Sequence, residues 1–382
     1  MLQRISASRR TRLIAVPAVA VVVVLAGSLL LVSTGVGTSH ASPSPTASPT
    51  PSPTPTASPS PTPTPVPIPT PTPFPSGMAY APLDGVLTTT ALANREAIAI
   101  MVDDNKVARP QSGISSASIV YQAPADGGED RYMMVFQEGT ASAIGPVRSA
   151  RPYYVYWANE YKAVFGHYGG DSIARHYTIP QAAAARSIFN LDALSGSGCA
   201  YHRVNTRPSP HNAYTSTGAL LTCIAKKKGY PTTYQKMPTR TFTDDSPIAD
   251  RPSSQNISIV YRTGTVGYQY NWVTNSYLRL INGGAEIDPA NNSKVYARSI
   301  VVMYQNLYYA KTEPNHNRPQ VQSVGSGKAL IFQEGKETIG TWKKKSNTAL
   351  TRFYDATGKE ISLVRGEIFI QSIPPSYKVT VG

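Results

Sequence analysis

Three groups of residues have the types and spacing to do chemistry. Asp103, Asp104 and Asn105 follow the apolar run Ala97–Val102. Carboxylates at the end of a buried strand stand where α/β proteins often build sites. They suit a cation or general-base work, and equally a turn or cap. The second group is Gly145–Pro152 (GPVRSARP). Gly-Pro fixes a turn, and Arg148 and Arg151 are spaced so that a helix entered there presents both guanidiniums on one face. Their planar forks grip carboxylate or phosphate in two places at once, and Arg131 stands ready to join them. The bland alternative is an internal ion pair such as Asp103 with Arg148. The third group is histidine: His167, His176, His202 and His211. None has the His-Glu-x-x-His spacing of a metalloprotease helix, and no metal set is expected. His167 precedes Gly169-Gly170, where backbone approaches a ligand closely, and His211 sits in a Pro-Ser-Pro-His-Asn turn. Asp103 and His167 are therefore the candidates for a catalytic base, either one serving, against the alternative that lone histidines only hold structure.

Two motif-like stretches carry little. Gly325-Ser-Gly-Lys328 lacks the earlier glycine and the Ser/Thr of a phosphate loop, and reads as a hairpin turn. Gly170-Asp171-Ser172 has no histidine partner placed for an esterase. The chain has two cysteines, Cys199 and Cys223. Outside the cytoplasm they are a disulfide candidate, and closing that loop contributes roughly 3 kcal/mol.

The elements that must position these residues follow from periodicity. Ala97–Val102, Ser118–Gln122, Tyr132–Gln137 and Val164–Gly166 are short apolar runs that predict buried strands. Tyr153–Glu160, Ile179–Ser187 and Ser216–Lys228 predict helices, the last with a Ser cap and a lysine-glycine stop. Pro238–Ser254 is polar and proline-rich, a boundary. From Ile257 onward alternating runs separated by Asn282-Gly283-Gly284 and Thr357-Gly358 predict a mostly β half. The fold class expected is α+β, a layered β-β-α type sandwich with a β-rich C-terminal part. The domains are 1–41, 42–78, 79–240 and 250–382.

The first two of these segments set the location. Arg4, Arg9, Arg10 and Arg12 precede an apolar run, Leu13–Val32, long enough to span about 30 Å of hydrocarbon. The Ser39-His40-Ala41 triplet also fits signal cleavage after Ala41. A Pro/Ser/Thr tract, Ser42–Pro75, follows, and in polyproline II form it reaches about 100 Å. This order predicts a single-pass cell-membrane protein with an extracytoplasmic head, or a secreted one if the leader is cleaved. The formal charge is +14, and the head keeps 32 of the 36 basic residues against all 22 acidic ones. That balance favours anionic partners. No basic stripe on a nucleic-acid fold is seen, so no nucleic acid is expected, and no cofactor.

Taken together, IMVDDN, ARPQSGISSASIVYQ, the Gly-Gly-x-x-Arg131 stretch, IGPVRSARPY, His-x-Gly-Gly and PHNAYTS resemble the N-terminal part of the YerB-like family of bacterial lipoproteins, domain of unknown function 3048. VGSGKALIFQEGKETIGTWKK and GKEISLVRGEIFI resemble its C-terminal part. The resemblance covers the whole head. It implies an extracytoplasmic location and a layered α+β fold, and it implies no activity. Its motifs fall on Asp103, Asn105, Arg109, Pro110, Gly113, Arg131, Arg148, Arg151, His167, Arg203, His211 and Asn212. The chain departs from it in lacking a lipid-attachment cysteine. The reading that results is an envelope protein binding an envelope polymer or small anionic ligand through Asp103, Asn105, Arg131, Arg148, Arg151, His167, Arg203, His211 and Asn212. The alternatives are a wall-modifying hydrolase or transferase, and a scaffold that docks another envelope protein.

Overall fold

The computed structural model describes residues 75–170, 188–236, 238–313 and 316–382. The expected anchor, nearly all of the spacer, His176 and the expected helix over Ile179–Ser187 lie outside the described residues. Among the described residues no helix is long and apolar enough to cross a membrane.

The N-terminal half supplies strands β1 (Ile98–Asp103), β2 (Ile119–Pro124), β3 (Asp130–Phe136), β4 (Val164–His167) and β5 (Phe189–Asp192), with helix α1 (Pro152–Asn159) between β3 and β4. A two-residue ladder, β6 (His202–Arg203) with β7 (Ala213–Tyr214), precedes helix α2 (Thr217–Ala225). The C-terminal half supplies β8 (Asn256–Tyr261), β9 (Gly264–Asn271), β10 (Ser276–Ile281), β11 (Ser299–Tyr304), β12 (Gly325–Gln333), β13 (Lys336–Lys344), β14 (Arg352–Tyr354) and β15 (Ile368–Ile373). The α+β class with a β-rich C-terminal part holds.

The two halves share one sheet. Ten strands run in the order β14-β13-β12-β11-β15-β2-β3-β1-β4-β5, so β15 from the end of the chain sits parallel to β2 from near its start. The described residues accordingly form one compact unit. The inner strands are continuous apolar runs because both sheet faces are covered. Alternation decides which residue faces which side. Ile98, Ile100 and Val102 join a core with β8, β9, β10 and α2. Ala99 and Met101 join a core with Tyr153, Tyr154 and Trp157 of α1. Strand β8, by contrast, alternates between exposed and buried positions, as expected of a sheet with one wet face.

A polar link crosses between the sheets. Arg279 of β10 is fully buried. Its Nη2 donates to Gln122 Oε1 at 3.0 Å and Tyr132 Oη at 2.9 Å, and its Nη1 pairs with Glu286. Gln122 in turn donates to Asp104 at 3.1 Å. A buried charge is tolerated only when paired and hydrogen-bonded, and this one is. The chain of contacts fixes the residue next to Asp103.

Two expectations are corrected. Gly325–Lys328 is no turn; it is the first part of β12, paired residue for residue with β13. The hairpin turn lies instead at Glu334-Gly335, where both φ angles are positive. The Phe189–Asp192 strand was not expected: its polar Asn190 and Asp192 hide the apolar pattern.

Candidate functional site

Strands β1, β4 and β5 run parallel, and their carboxyl ends carry Asp103, His167 and Asp192. This is where open α/β sheets place ligand sites. Residues 145–149 lie beside the end of β1 in extended form. Asp103 N donates to Pro146 O at 2.9 Å and Arg148 N to Met101 O at 2.9 Å. Tyr168 N donates to Arg148 O at 3.0 Å. Arg148 is thereby wedged between the ends of β1 and β4. Gly145 permits this: a Cβ there would meet Ala213 O at 2.9 Å.

The arginines therefore part company. A shared helix face for Arg148 and Arg151 is not formed, because α1 begins only after Arg151, which caps it in an extended conformation. Arg148 turns to Asp103, its Nε 3.3 Å from Oδ2. Arg151 turns to Asp126, donating from Nε to Oδ1 at 3.1 Å. Asp126 also takes Arg131 at 3.4 Å and Arg318 at 3.1 Å. Arg131 lies opposite Asp103 in the β1–β3 register, yet its Nη1 donates to Ser149 O and its Nη2 to Asp126, and its buried Nε has no hydrogen-bond partner among the described residues. Asp126 is thus the carboxylate on which three guanidiniums converge, two of them almost wholly buried.

The Asp103 cluster is open. Asp103 is fully buried, and its Oδ2 lies 2.6 Å from His211 Nδ1. Its Oδ1 accepts from Asn105 N at 3.2 Å. Asn105 caps the short turn Lys106–Ala108 and donates its amide to Glu129. The capping role and a place in the cluster are both realised. Arg203 stacks over Tyr168, 4.5 Å from the ring centroid, and donates to Asn212. Burial lowers the pKa of Arg148, and Arg131 and Arg203 lower it further while Asp103 and Glu129 oppose them. Among the described residues the guanidinium of Arg148 makes no hydrogen bond: its buried Nε is ion-paired with Asp103 but not hydrogen-bonded to it.

The loop that brings in His211 is tied at both ends. Arg207 donates to the carbonyls of Val107, Arg109 and Pro110. Cys199 and Cys223 form a disulfide with Cα atoms 5.8 Å apart, joining the turn before β6 to α2. His211 N donates to Pro208 O at 3.0 Å.

His167 stands apart from this cluster. It is fully buried, with Nδ1 2.7 Å from Gly169 O and Nε2 2.7 Å from Asn190 Oδ1. Burial lowers its pKa, and Asp192 only partly offsets that. It holds the Tyr168–Gly170 turn and with it the ring beneath Arg203. Asp103, Asn105, Arg148, Arg203, His211 and Asn212 come together; Arg131 borders them; Arg151 and His167 do not join. Tyr168 and Glu129 were missed from the sequence. Tyr168 lies inside the His-x-Gly-Gly motif, and Glu129 three residues after Asp126, so only the fold pairs them with their partners. Among the described residues no three His, Cys, Asp or Glu side chains converge to hold a metal.

A two-part head, with an acid–guanidinium cluster at the strand ends of its first part and β-sheet in its second, defines the class. Residues 83–231 match the profile described as "Protein of unknown function (DUF3048) N-terminal domain", and residues 257–370 match its C-terminal domain. The chain belongs to this DUF3048 family. It is 30% identical over 298 residues to "Putative lipoprotein YerB" of Bacillus subtilis (strain 168), covering 77% of this chain and 86% of that protein. It is also similar to the crystal structure of the YerB protein from Bacillus subtilis, with a TM-score of 0.69 and 27% identity over 79% of this chain and 99% of that one.

Proposed function

We propose that this protein is a membrane-anchored envelope protein whose head binds an anionic ligand at Arg148, Arg203 and His211. The observation that carries the reading is Arg148: its side chain is 25% exposed and its donors find no well-placed acceptor among the described residues. A partly exposed guanidinium held between two others, with its Nη donors not hydrogen-bonded among the described residues, favours an incoming carboxylate or phosphate. Arg203, flat against Tyr168, supplies a second fork, and Asp103 keeps the group from repelling itself apart. The apolar run Leu13–Val32, the proline-rich spacer and a relative named as a lipoprotein support the placement at the envelope. The test compares binding of anionic wall fragments to the full-length protein and to Arg148→Ala/Arg203→Ala. A loss of about tenfold or more is expected, since each charged hydrogen bond contributes about 1.5–3 kcal/mol. Equal affinity overturns the reading.

A second reading has an observation of its own. A buried carboxylate sits on His211 Nδ1, the His211 side chain is 15% exposed, and no hydrogen bond to its Nε2 is found among the described residues. This is how a general base is oriented in hydrolases. Here the histidine is His211, not His167. Turnover of wall fragments that His211→Gln abolishes while binding persists supports this reading; no product at any pH removes it.

A further inference from the structure

On the side of the head near the end of α1, a cleft of about 950 Å³ opens between β13, β14 and the turn after α1. Its charged lining consists of five cations, Lys162, Lys343, Lys344, Lys345 and Arg352, and two carboxylates, Glu160 and Glu360. Both carboxylates are committed. Glu160, fully buried, takes Lys344 Nζ at 2.9 Å and both the backbone and the hydroxyl of Thr351. Lys344 Nζ is satisfied in turn by Glu160 and by the carbonyls of Tyr156 and Ala349. Glu360 pairs with Arg352 at 2.5 Å. Three exposed ammonium groups remain, Lys162, Lys343 and Lys345, with no carboxylate within salt-bridge distance among the described residues. Lys162 Nζ rests on Lys236 O at 3.1 Å, and Lys343 lies 4.6 Å from the ring centre of Tyr354. Glu96 and Lys162 also interact through charge, and burial pushes the Glu96 carboxyl pKa up to about 8, so it is mostly neutral at pH 7.

We infer that this cleft is a second binding site, and that it takes a linear phosphate polymer. The chemistry differs from that at Arg148. Lysine carries a compact charge on a flexible stem and does not demand the planar, two-point geometry that arginine rewards. Three such charges along one concave surface suit repeated phosphates of variable spacing. The volume is near the top of the range for small-molecule pockets, so one small anion fills little of it. The concavity also admits a chain and excludes a flat bilayer.

The test uses linear polyphosphate as the probe, with inorganic phosphate and vesicles containing anionic phospholipid as the other arms, and the full-length protein in detergent. Polyphosphate is expected to bind. In Lys162→Ser/Lys343→Ser/Lys345→Ser its affinity should fall at least tenfold, and the slope of log K against log salt should flatten by about 2, from roughly 0.7 per lost contact. Lys226→Ser/Lys228→Ser, two exposed lysines just past α2, should change neither. In an Arg148→Ala background the triple lysine change should still lower polyphosphate affinity at least tenfold and flatten the salt slope, which separates this site from the one proposed above. The inference is overturned if polyphosphate does not bind at low salt, if the triple variant binds as well as the parent, if the Lys226/Lys228 variant loses as much, or if only the vesicles bind. All three lysines are exposed, so the variant is expected to keep its thermal midpoint; a drop in that midpoint moves the test to Lys345→Glu alone, where an unchanged affinity overturns the inference.

Discussion

Two guanidinium clusters lie within a few residues of each other in the sequence and behave differently. Around Asp126, Arg131, Arg151 and Arg318 close on one carboxylate, and Arg131 and Arg151 are almost wholly buried. Around Asp103, Arg148 and His211 share one fully buried carboxylate, and Arg148 is 25% exposed and makes no side-chain hydrogen bond among the described residues. Residue type does not separate the two. What separates them is where the backbone goes next. Residues 145–149 run extended beside β1 and hold Arg148 at the strand end, whereas Arg151 stands at the start of α1 and reaches back to the turn before β3. A closed cluster holds the fold together; an open one is available to a ligand.

The comparison breaks most severely at Asp126. Asp126→Ala leaves two buried guanidiniums without their carboxylate, and loss of one partner of a buried pair costs about 3–5 kcal/mol. Chemical denaturation should show that drop, and a loss under 1 kcal/mol would mean that this cluster is not structural. Next comes the disulfide, which anchors the loop carrying His211. Reduction, or Cys199→Ser/Cys223→Ser, should lower stability by about 3 kcal/mol. It should also raise amide exchange in residues 202–214 more than around Asp126, and uniform exchange would deny that the open cluster depends on this tie.

A pH series sharpens the contrast at Asp130, the neighbour of Arg131 in sequence. Burial, reinforced by nearby Asp104, pushes its carboxyl pKa up to about 8. A folded-state value above the unfolded one of about 4 means that the unfolded chain releases the proton first. Stability from this group is therefore present below about pH 4 and is lost as pH rises toward 8, at up to about 1.4 kcal/mol per pH unit. Asp130→Asn should flatten that slope in thermal or urea unfolding; an unchanged slope would place the proton elsewhere. The smallest stability effect belongs to Arg148→Ala, under about 1 kcal/mol, because the side chain is partly exposed and its pair only loosely aligned.

Much of this was legible in the sequence. The apolar runs at β1, β2, β3 and β4 marked the inner strands because burial on both faces leaves no polar alternation to confuse. Asp103, Arg148 and His211 stood out by their punctuation: a strand end, a Gly-Pro turn and a Pro-rich turn. Their partners were not legible. Arg148 and Arg151 are close enough in sequence to suggest one helix face, and nothing local says that the helix starts after the second of them. His167 looked exposed to a ligand because of its glycines, yet those glycines let Gly169 O and Asn190 close on both ring nitrogens. The sharing of one sheet by both halves was hidden for a different reason. A parallel pairing between β2 and β15 is a contact across some 250 residues, and periodicity carries no information about which strand lies beside which.

The account rests on Arg148 being the guanidinium that an anion reaches. Arginine Nε–Hε resonances of the full-length protein, followed by NMR while a small dicarboxylate or phosphate is added, read that directly. The Arg148 resonance, assigned with Arg148→Lys, should move saturably while that of Arg151 stays still. If Arg148 does not respond, or if Arg151 moves with it to the same extent, the distinction between an open and a closed cluster is wrong.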